Sequence, residues 1–258
     1  MVAARRLHRR ADRAATGRFL VEGARAVRAA AGHVRELFVT KDAAARHPDL
    51  LTVDAGRVNM ITERAAAALS ETVTPQGVFA VCDTVDVDLA TGLSGAPRLV
   101  AVLAEVADPG NAGTVIRVAD AAGADAVLLA GDAVDPHNGK CVRATAGSLF
   151  HLPIAVHQSV PEAVAACRQA GLTVLAATAA GRLELDDAPL DTPTAWLFGS
   201  EAHGLDQEAL AAADDTVRIP IYGRAESLNL ATAAAVCLYA SARAARAAVR
   251  SSLVQADA

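Results

Sequence analysis

The stretch Arg218-Ile219-Pro220-Ile221-Tyr222-Gly223-Arg224-Ala225-Glu226-Ser227-Leu228-Asn229-Leu230 decides how this chain is read. A β-branched strand end breaks at Pro220, and Gly223 permits a turn that other residues resist. An alanine-rich helical pattern then runs over 228–249, with Ser227 placed to cap it. Polar Ser227 and Asn229 stand at the mouth of an apolar helix, where packing does not call for them. Two upstream stretches share this grammar. An apolar run over 99–105 leads to Asp108-Pro109-Gly110-Asn111-Ala112-Gly113 and a helical pattern. Ala195-Trp196-Leu197-Phe198 leads to Gly199-Ser200-Glu201-Ala202-His203-Gly204 and another. Loops at the carboxyl ends of parallel strands are where α/β sheets hold ligands. Three such loops point to one site.

Working outward, strand patterns fall at 99–104, 126–129, 152–156, 173–178, 195–198 and 216–219. Helical patterns lie near 114–122, 137–146, 161–170, 206–211 and 228–249. This alternation predicts an α/β domain over 98–258, a mostly parallel sheet with helices on both faces. Residues 1–83 read as a separate small α/β unit, with strands at Val34–Thr40 and Gly77–Cys82 and a helical stretch near Thr62–Leu69. Residues 84–97, which hold Thr91, Gly92, Ser94, Gly95 and Pro97, read as a linker.

Composition bounds the function. The 258 residues are 53% apolar and 21% charged, with a net charge of −5, which argues against a protein wrapped all over in nucleic acid. The distribution is uneven: Arg5, Arg6, Arg9, Arg10, Arg13 and Arg18 face only Asp12 within the first twenty residues. Such a patch suits one RNA-facing surface, and equally a solvated basic tail. Cys82, Cys141, Cys167 and Cys237 form no C-x-x-C pair, which predicts buried thiols in a reducing compartment. The histidines lack metal-ligand spacing, so no metal is expected. No apolar run reaches the ~20 residues that span a bilayer, and the basic N-terminus has no signal-peptide core. A cytoplasmic protein without membrane contact is expected.

The three loops together resemble the SpoU-type (TrmH-like) RNA 2'-O-ribose methyltransferases of the SPOUT class. That family's motifs are matched in order by Asp108–Arg117, Leu197–Leu205 and Ile219–Asn229. The order Phe19-Leu20-Val21-Glu22-Gly23, Arg35-Glu36-Leu37-Phe38-Val39 and Thr74-Pro75-Gln76-Gly77-Val78 resembles the RNA substrate-binding domain often attached to them. The resemblance implies a C-terminal trefoil knot, a homodimer with the last helix at its interface, and S-adenosylmethionine as methyl donor. It implies cofactor contacts at Thr178, Gly199, Ile219, Ile221 and Leu228. It implies a catalytic set of Arg117, Asn111, Glu201, Ser227 and Asn229. Asp108 stands where many members carry asparagine, Ala202 where glycine is frequent, and Ala231 where serine often follows Ser-Leu-Asn.

Each residue also has a plainer reading. Gly199 suits a strand-ending turn, the aliphatics suit a core, Asn111 suits its own turn, and Glu201 suits a helix N-terminus. Arg117, flanked by Val115, Ile116 and Val118, suits the polar stripe of an amphipathic helix. A guanidinium stays protonated below a pKa of about 12, so a role in gripping phosphate and orienting the hydroxyl fits Arg117 better than proton abstraction. The stripe Arg243, Arg246 and Arg250 is expected on the open face of the last helix. A nicotinamide dehydrogenase is excluded because Gly110 and Gly113 are spaced G-x-x-G, and a P-loop because Leu205 follows Gly204. The added N-terminal unit favours ribosomal RNA as substrate. Transfer RNA, an antibiotic-resistance methylation of ribosomal RNA, and a non-catalytic RNA-binding module remain open.

Overall fold

A computed structural model describes residues 1–52 and 56–256. The chain divides into two units, one of Met1–Val85 with Asp135–His151, the other of Asp86–Val134 with Leu152–Ala258.

The smaller unit is built on β1 (Arg18–Glu22), β2 (Val34–Thr40), β3 (Arg57–Ile61) and β4 (Val78–Asp83), ordered β1-β4-β2-β3. β4 runs antiparallel to both neighbours, and β3 pairs parallel to β2 at the edge. β3 escapes a reading of hydrophobic pattern because it is half exposed, with Val58 and Met60 open to solvent. One face of the sheet packs Leu20, Phe38, Phe79 and Val81 against Leu7, Ala66 and Leu69.

Helix Gly139–Thr145 groups with this unit rather than with the sheet that follows it in sequence. An ion pair holds the segment there. The buried Arg13 guanidinium meets Asp135 Oδ2 at 2.7 Å and donates to the carbonyls of Leu7 and His8. Asp135 accepts in turn from the His137 backbone N–H. Burial pushes the Asp135 carboxyl up, but hydrogen bonds from His137 and Arg13 outweigh it and hold the group well below the usual carboxylate range. Arg13 therefore belongs to the core and not to the exposed basic patch. Arg6 and Arg18 are also paired, with Asp12 and Asp83. Among the described residues Arg5, Arg9 and Arg10 stay exposed and unpartnered.

The larger unit holds an eight-stranded sheet. Its strands are β5 (Asp86–Val87), β6 (Leu99–Ala104), β7 (Ala126–Ala130), β8 (Ile154–Gln158), β9 (Thr173–Ala177), β10 (Leu183–Glu184), β11 (Thr194–Phe198) and β12 (Asp215–Arg218). Their order is β10-β12-β9-β11-β6-β7-β8-β5, and every pairing is parallel. Residues 84–97, read as a linker, carry structure of their own. β5 joins the sheet beside β8, and Gly92, on the short helix Leu89–Gly92, lies against Ala155, Val87 and Leu128.

From β6 the chain steps outward through β7 and β8, then crosses back to build β9 to β12 on the other side. The order reverses between β6 and β11, and an open α/β sheet offers its crevice at that switch point. One face packs Val100, Val102, Leu128, Val174 and Leu197 beneath helix Val160–Gln169, which begins at a Ser159–Glu162 capping box. The last helix, Leu230–Ala256, packs on helix Pro109–Ala122 and on β11 and β6. A buried hydrogen bond of 2.9 Å from Trp196 Nε1 to Ser241 Oγ pins it to the sheet. All four cysteines are buried and unbridged, and burial pushes the Cys82, Cys167 and Cys237 thiols up to about 12.

Candidate active site

The switch point brings the three loops together. After β6, Asp108 caps helix Pro109–Ala122 by accepting from the Asn111 N–H at 2.8 Å, with Pro109 at the first helical position. Asn111 therefore sits in the first turn with its carboxamide free to point away. After β11 the chain doubles back, and Ser200 and Gly204 exchange backbone hydrogen bonds. Gly199 lies under this hairpin, where a Cβ would stand 2.3 Å from the Gly204 carbonyl carbon, so no side chain fits. The turn leaves Glu201 exposed beside Asn111.

Asn111 Nδ2 donates to Glu201 Oε1 at 2.8 Å, and Asn229 Nδ2 donates to Asn111 Oδ1 at 3.1 Å. Asn229 Oδ1 then accepts from the N–H groups of Ala231 and Thr232, at 2.9 and 3.3 Å. The direction of the chain follows from its ends. A carboxylate only accepts and the first N–H groups of a helix only donate, so each amide between them has one orientation that satisfies all four contacts. Asn229, and not Ser227, caps the last helix, because the helix begins at Leu230 and the capping oxygen must come from the preceding residue.

Beside this chain opens a cleft of about 820 Å³. Thr178, Gly199, Ile219, Ile221 and Leu228 all line it, as do Glu201, Ser227 and Asn229. Phe198 and Leu205 extend its apolar wall, and three carboxylates, Glu184, Glu201 and Glu226, face it. Its size suits a nucleoside-sized ligand, and its acidic rim suits a cationic one. Glu184 and Arg218 also line it, and no sequence motif marks either. Glu184 lies on a two-residue strand without periodicity, and only the β10–β12 pairing brings it to the cleft.

Arg117 is placed elsewhere. It lies about 9 Å along the helix axis from Asn111 and on a different face, and it does not line the cleft. It is exposed, and among the described residues its guanidinium has no hydrogen-bond or ion-pair partner. The stripe Arg243 and Arg246 is exposed on the last helix, while the Arg250 side chain lies outside the described residues. Among the described residues, no group of histidine, cysteine, aspartate and glutamate side chains is arranged to hold a metal ion. No described helix is long and apolar enough to cross a membrane.

The sequence profile of the SpoU rRNA methylase family matches residues 98–239, the span that carries the switch point, the cleft and the carboxamide chain. The chain belongs to the SpoU rRNA methylase family. Methyl transfer to ribosomal RNA, the family's activity, is this enzyme's activity. An MRM3-like substrate-binding domain matches residues 3–80 of the methylase, within the smaller unit. The methylase is 38% identical over 238 residues to the 23S rRNA (guanosine(2553)-2'-O)-methyltransferase RlmP of Bacillus subtilis, covering 91% of this chain and 92% of the relative. It is similar to the crystal structure of the SpoU methyltransferase AviRb of Streptomyces viridochromogenes in complex with the cofactor AdoMet. The TM-score there is 0.82, with 32% identity over 94% of this chain and 96% of that one. The AdoMet-bound rRNA methyltransferase of Sinorhizobium meliloti gives a TM-score of 0.82 with 30% identity, covering 94% and 93%.

Proposed function

We propose that this enzyme transfers a methyl group from S-adenosylmethionine to a ribose 2'-hydroxyl of ribosomal RNA, in the cleft beside β11 and β12. The observation that carries the reading is the Glu201–Asn111–Asn229 chain on the rim of that cleft. It fixes a carboxylate and two amides, drawn from three loops, beside an acidic, apolar-walled slot. Bound there, the cofactor supplies a sulfonium methyl open to in-line attack. The apolar walls of Ile219, Ile221 and Leu228 would hold its base, and backbone groups at Thr178 and Gly199 would align it.

The rest of the work is done by this chain's own residues. Holding two reactants in line supplies much of the rate in such a transfer. The carboxamide chain sets the rim against which the ribose rests, and Ser227 offers a hydroxyl on the same side. Arg117, unpartnered and exposed, grips the phosphate beside the target ribose and orients the hydroxyl. The smaller unit presents the RNA, with Arg5, Arg9 and Arg10 on its open surface. The enzyme acts in the cytoplasm.

The C-terminal segment closes as a trefoil knot. Gly181, in the turn that leads into β10, passes so near the Val217–Arg218 backbone of β12 that an added Cβ would lie 2.3 Å from the Val217 carbonyl carbon, so no side chain fits there. The protein is a homodimer through its last helix. Thr232, Val236, Tyr239 and Arg243 form an exposed stripe at helical spacing there, and Val236 and Tyr239 are large apolar side chains without cover. Methylation mapping of ribosomal RNA from cells with and without the protein tests the assignment. A 2'-O-methyl that disappears with the gene supports it, and an unchanged map refutes it.

A further inference from the structure

The end of the cleft farthest from Asn111 is built with more care than a surface ion pair requires. Arg218 Nη1 donates to the carbonyls of Gly181 and Arg182, at 2.9 and 3.3 Å. Its Nη2 donates to Glu184 Oε1 at 2.7 Å across the β10–β12 register. The guanidinium is thus fixed by two backbone oxygens and holds the carboxylate in one place. Glu184 Oε2 has no hydrogen-bond partner among the described residues, and Glu184 lines the cleft. Surface ion pairs contribute little to stability, so stability is a weak reason for such an arrangement.

Position says which part of a ligand it meets. β10 is three strand spacings from β11, about 14 Å, so Glu184 and Glu201 mark opposite ends of the slot. If the sulfonium rested beside Glu201 and Asn229, the base of a nucleoside cofactor would reach toward β10. The base is the part of the nucleoside half farthest from the sulfonium. A fixed carboxylate only accepts hydrogen bonds. Adenine offers a donor at its outer edge, the exocyclic amine, whereas hypoxanthine and guanine offer a carbonyl oxygen there, which the carboxylate repels.

We propose that Glu184, held by Arg218, reads the exocyclic amine of the cofactor's adenine and so sets the nucleobase specificity of the site. The inference rests on the reading of the cleft as the S-adenosylmethionine site. Sites that hydrogen-bond a polar group reject analogues lacking it far more strongly than apolar sites reject a changed shape.

Calorimetric titration of the full chain tests it with three probes: S-adenosylhomocysteine, its deaminated analogue S-inosylhomocysteine, and 5'-methylthioadenosine. The wild type should prefer the adenine form of the homocysteine ligand roughly a hundredfold. Glu184→Gln should weaken S-adenosylhomocysteine and methylthioadenosine by the same factor, about tenfold, because a charge-assisted hydrogen bond is lost. The same variant should bind S-inosylhomocysteine more tightly than the wild type does, since an amide N–H accommodates the carbonyl oxygen. An effect on S-adenosylhomocysteine but not on methylthioadenosine would move the contact to the amino-acid ammonium and overturn the proposal. Equal losses for the adenine and hypoxanthine ligands would move it to the ribose and also overturn it. Wild-type preference is read without any substitution, so a poorly folded variant does not rescue the idea: a wild type indifferent to deamination refutes it. A wild type that binds none of the three probes removes the cofactor reading itself.

Discussion

Asn229 does two jobs through two different atoms, and two substitutions separate them. Its Oδ1 caps the last helix and its Nδ2 holds Asn111, which in turn holds Glu201. Asn229→Ala removes both functions. Loss of the cap costs about 1 kcal/mol, and loss of a neutral, exposed hydrogen bond costs about another 1 kcal/mol. For a chain of this size ~2 kcal/mol corresponds to a fall of about 4–8 °C in Tm. Asn229→Asp keeps the capping oxygen and places a negative charge at a helix N-terminus, where it is favourable by roughly 0.3–1 kcal/mol. Its Tm should stay within about 2 °C of wild type by that balance.

The same aspartate breaks the chain of amides. Asn111 already gives its Nδ2 to Glu201, so its carbonyl would face a second acceptor in place of a donor. The rim then loses its single arrangement, and a misplacement of the order of 1 Å costs roughly a hundredfold in rate. Differential scanning calorimetry and transfer of a radiolabelled methyl to ribosomal RNA measure the two effects. The expected result is a stable, catalytically poor aspartate variant beside an alanine variant that is poor in both respects. An aspartate variant with wild-type turnover would refute the role of the amide chain, and an alanine variant with unchanged Tm would refute the cap.

Arg117→Ala should abolish methylation and leave S-adenosylhomocysteine affinity within about threefold, since the side chain does not line the cleft; turnover that survives would remove its role. Replacing Arg5, Arg9 and Arg10 together by alanine should flatten the plot of log affinity for ribosomal RNA against log salt by roughly two to three units, one for each lost phosphate contact. An unchanged slope would place the RNA elsewhere. Asp135→Asn leaves the buried Arg13 charge uncompensated, at a cost of about 3–5 kcal/mol. The folded Asp135 carboxyl lies below its unfolded value, so its contribution is present above about pH 4 and drains away as the pH falls below that. Urea titrations from pH 7 to pH 3 should show that slope in the wild type and a shallower one in the variant. Tyr239→Glu on the exposed stripe should shift the protein from dimer to monomer in light scattering at micromolar concentration, and an unchanged mass would move the interface off that face.

What the sequence made legible, and what it hid, divides along one physical line. The parallel sheet could be read because its central strands are nearly continuous apolar runs, as in Leu99–Ala104 and Thr194–Phe198. The motif loops could be read because Asn111, Glu201 and Asn229 are polar residues placed where packing has no use for them. Burial of charge left no such mark. Arg13 reads as one more arginine in a basic stretch, and only its distant partner Asp135 takes it out of solvent. Asp135 also ties helix Gly139–Thr145 to the smaller unit, although its sequence pattern is that of any crossover helix in the larger one. Glu184 and Arg218 are likewise ordinary until β10 and β12 pair. The amide chain stands between these cases: its members are legible one by one, but its direction emerges only when the three loops meet. Once Glu201 accepts at one end and the helix N–H groups donate at the other, Asn111 and Asn229 have no freedom left. That loss of freedom before any ligand arrives is what lets loops, each from a different crossover, present the proposed catalytic rim at fixed positions.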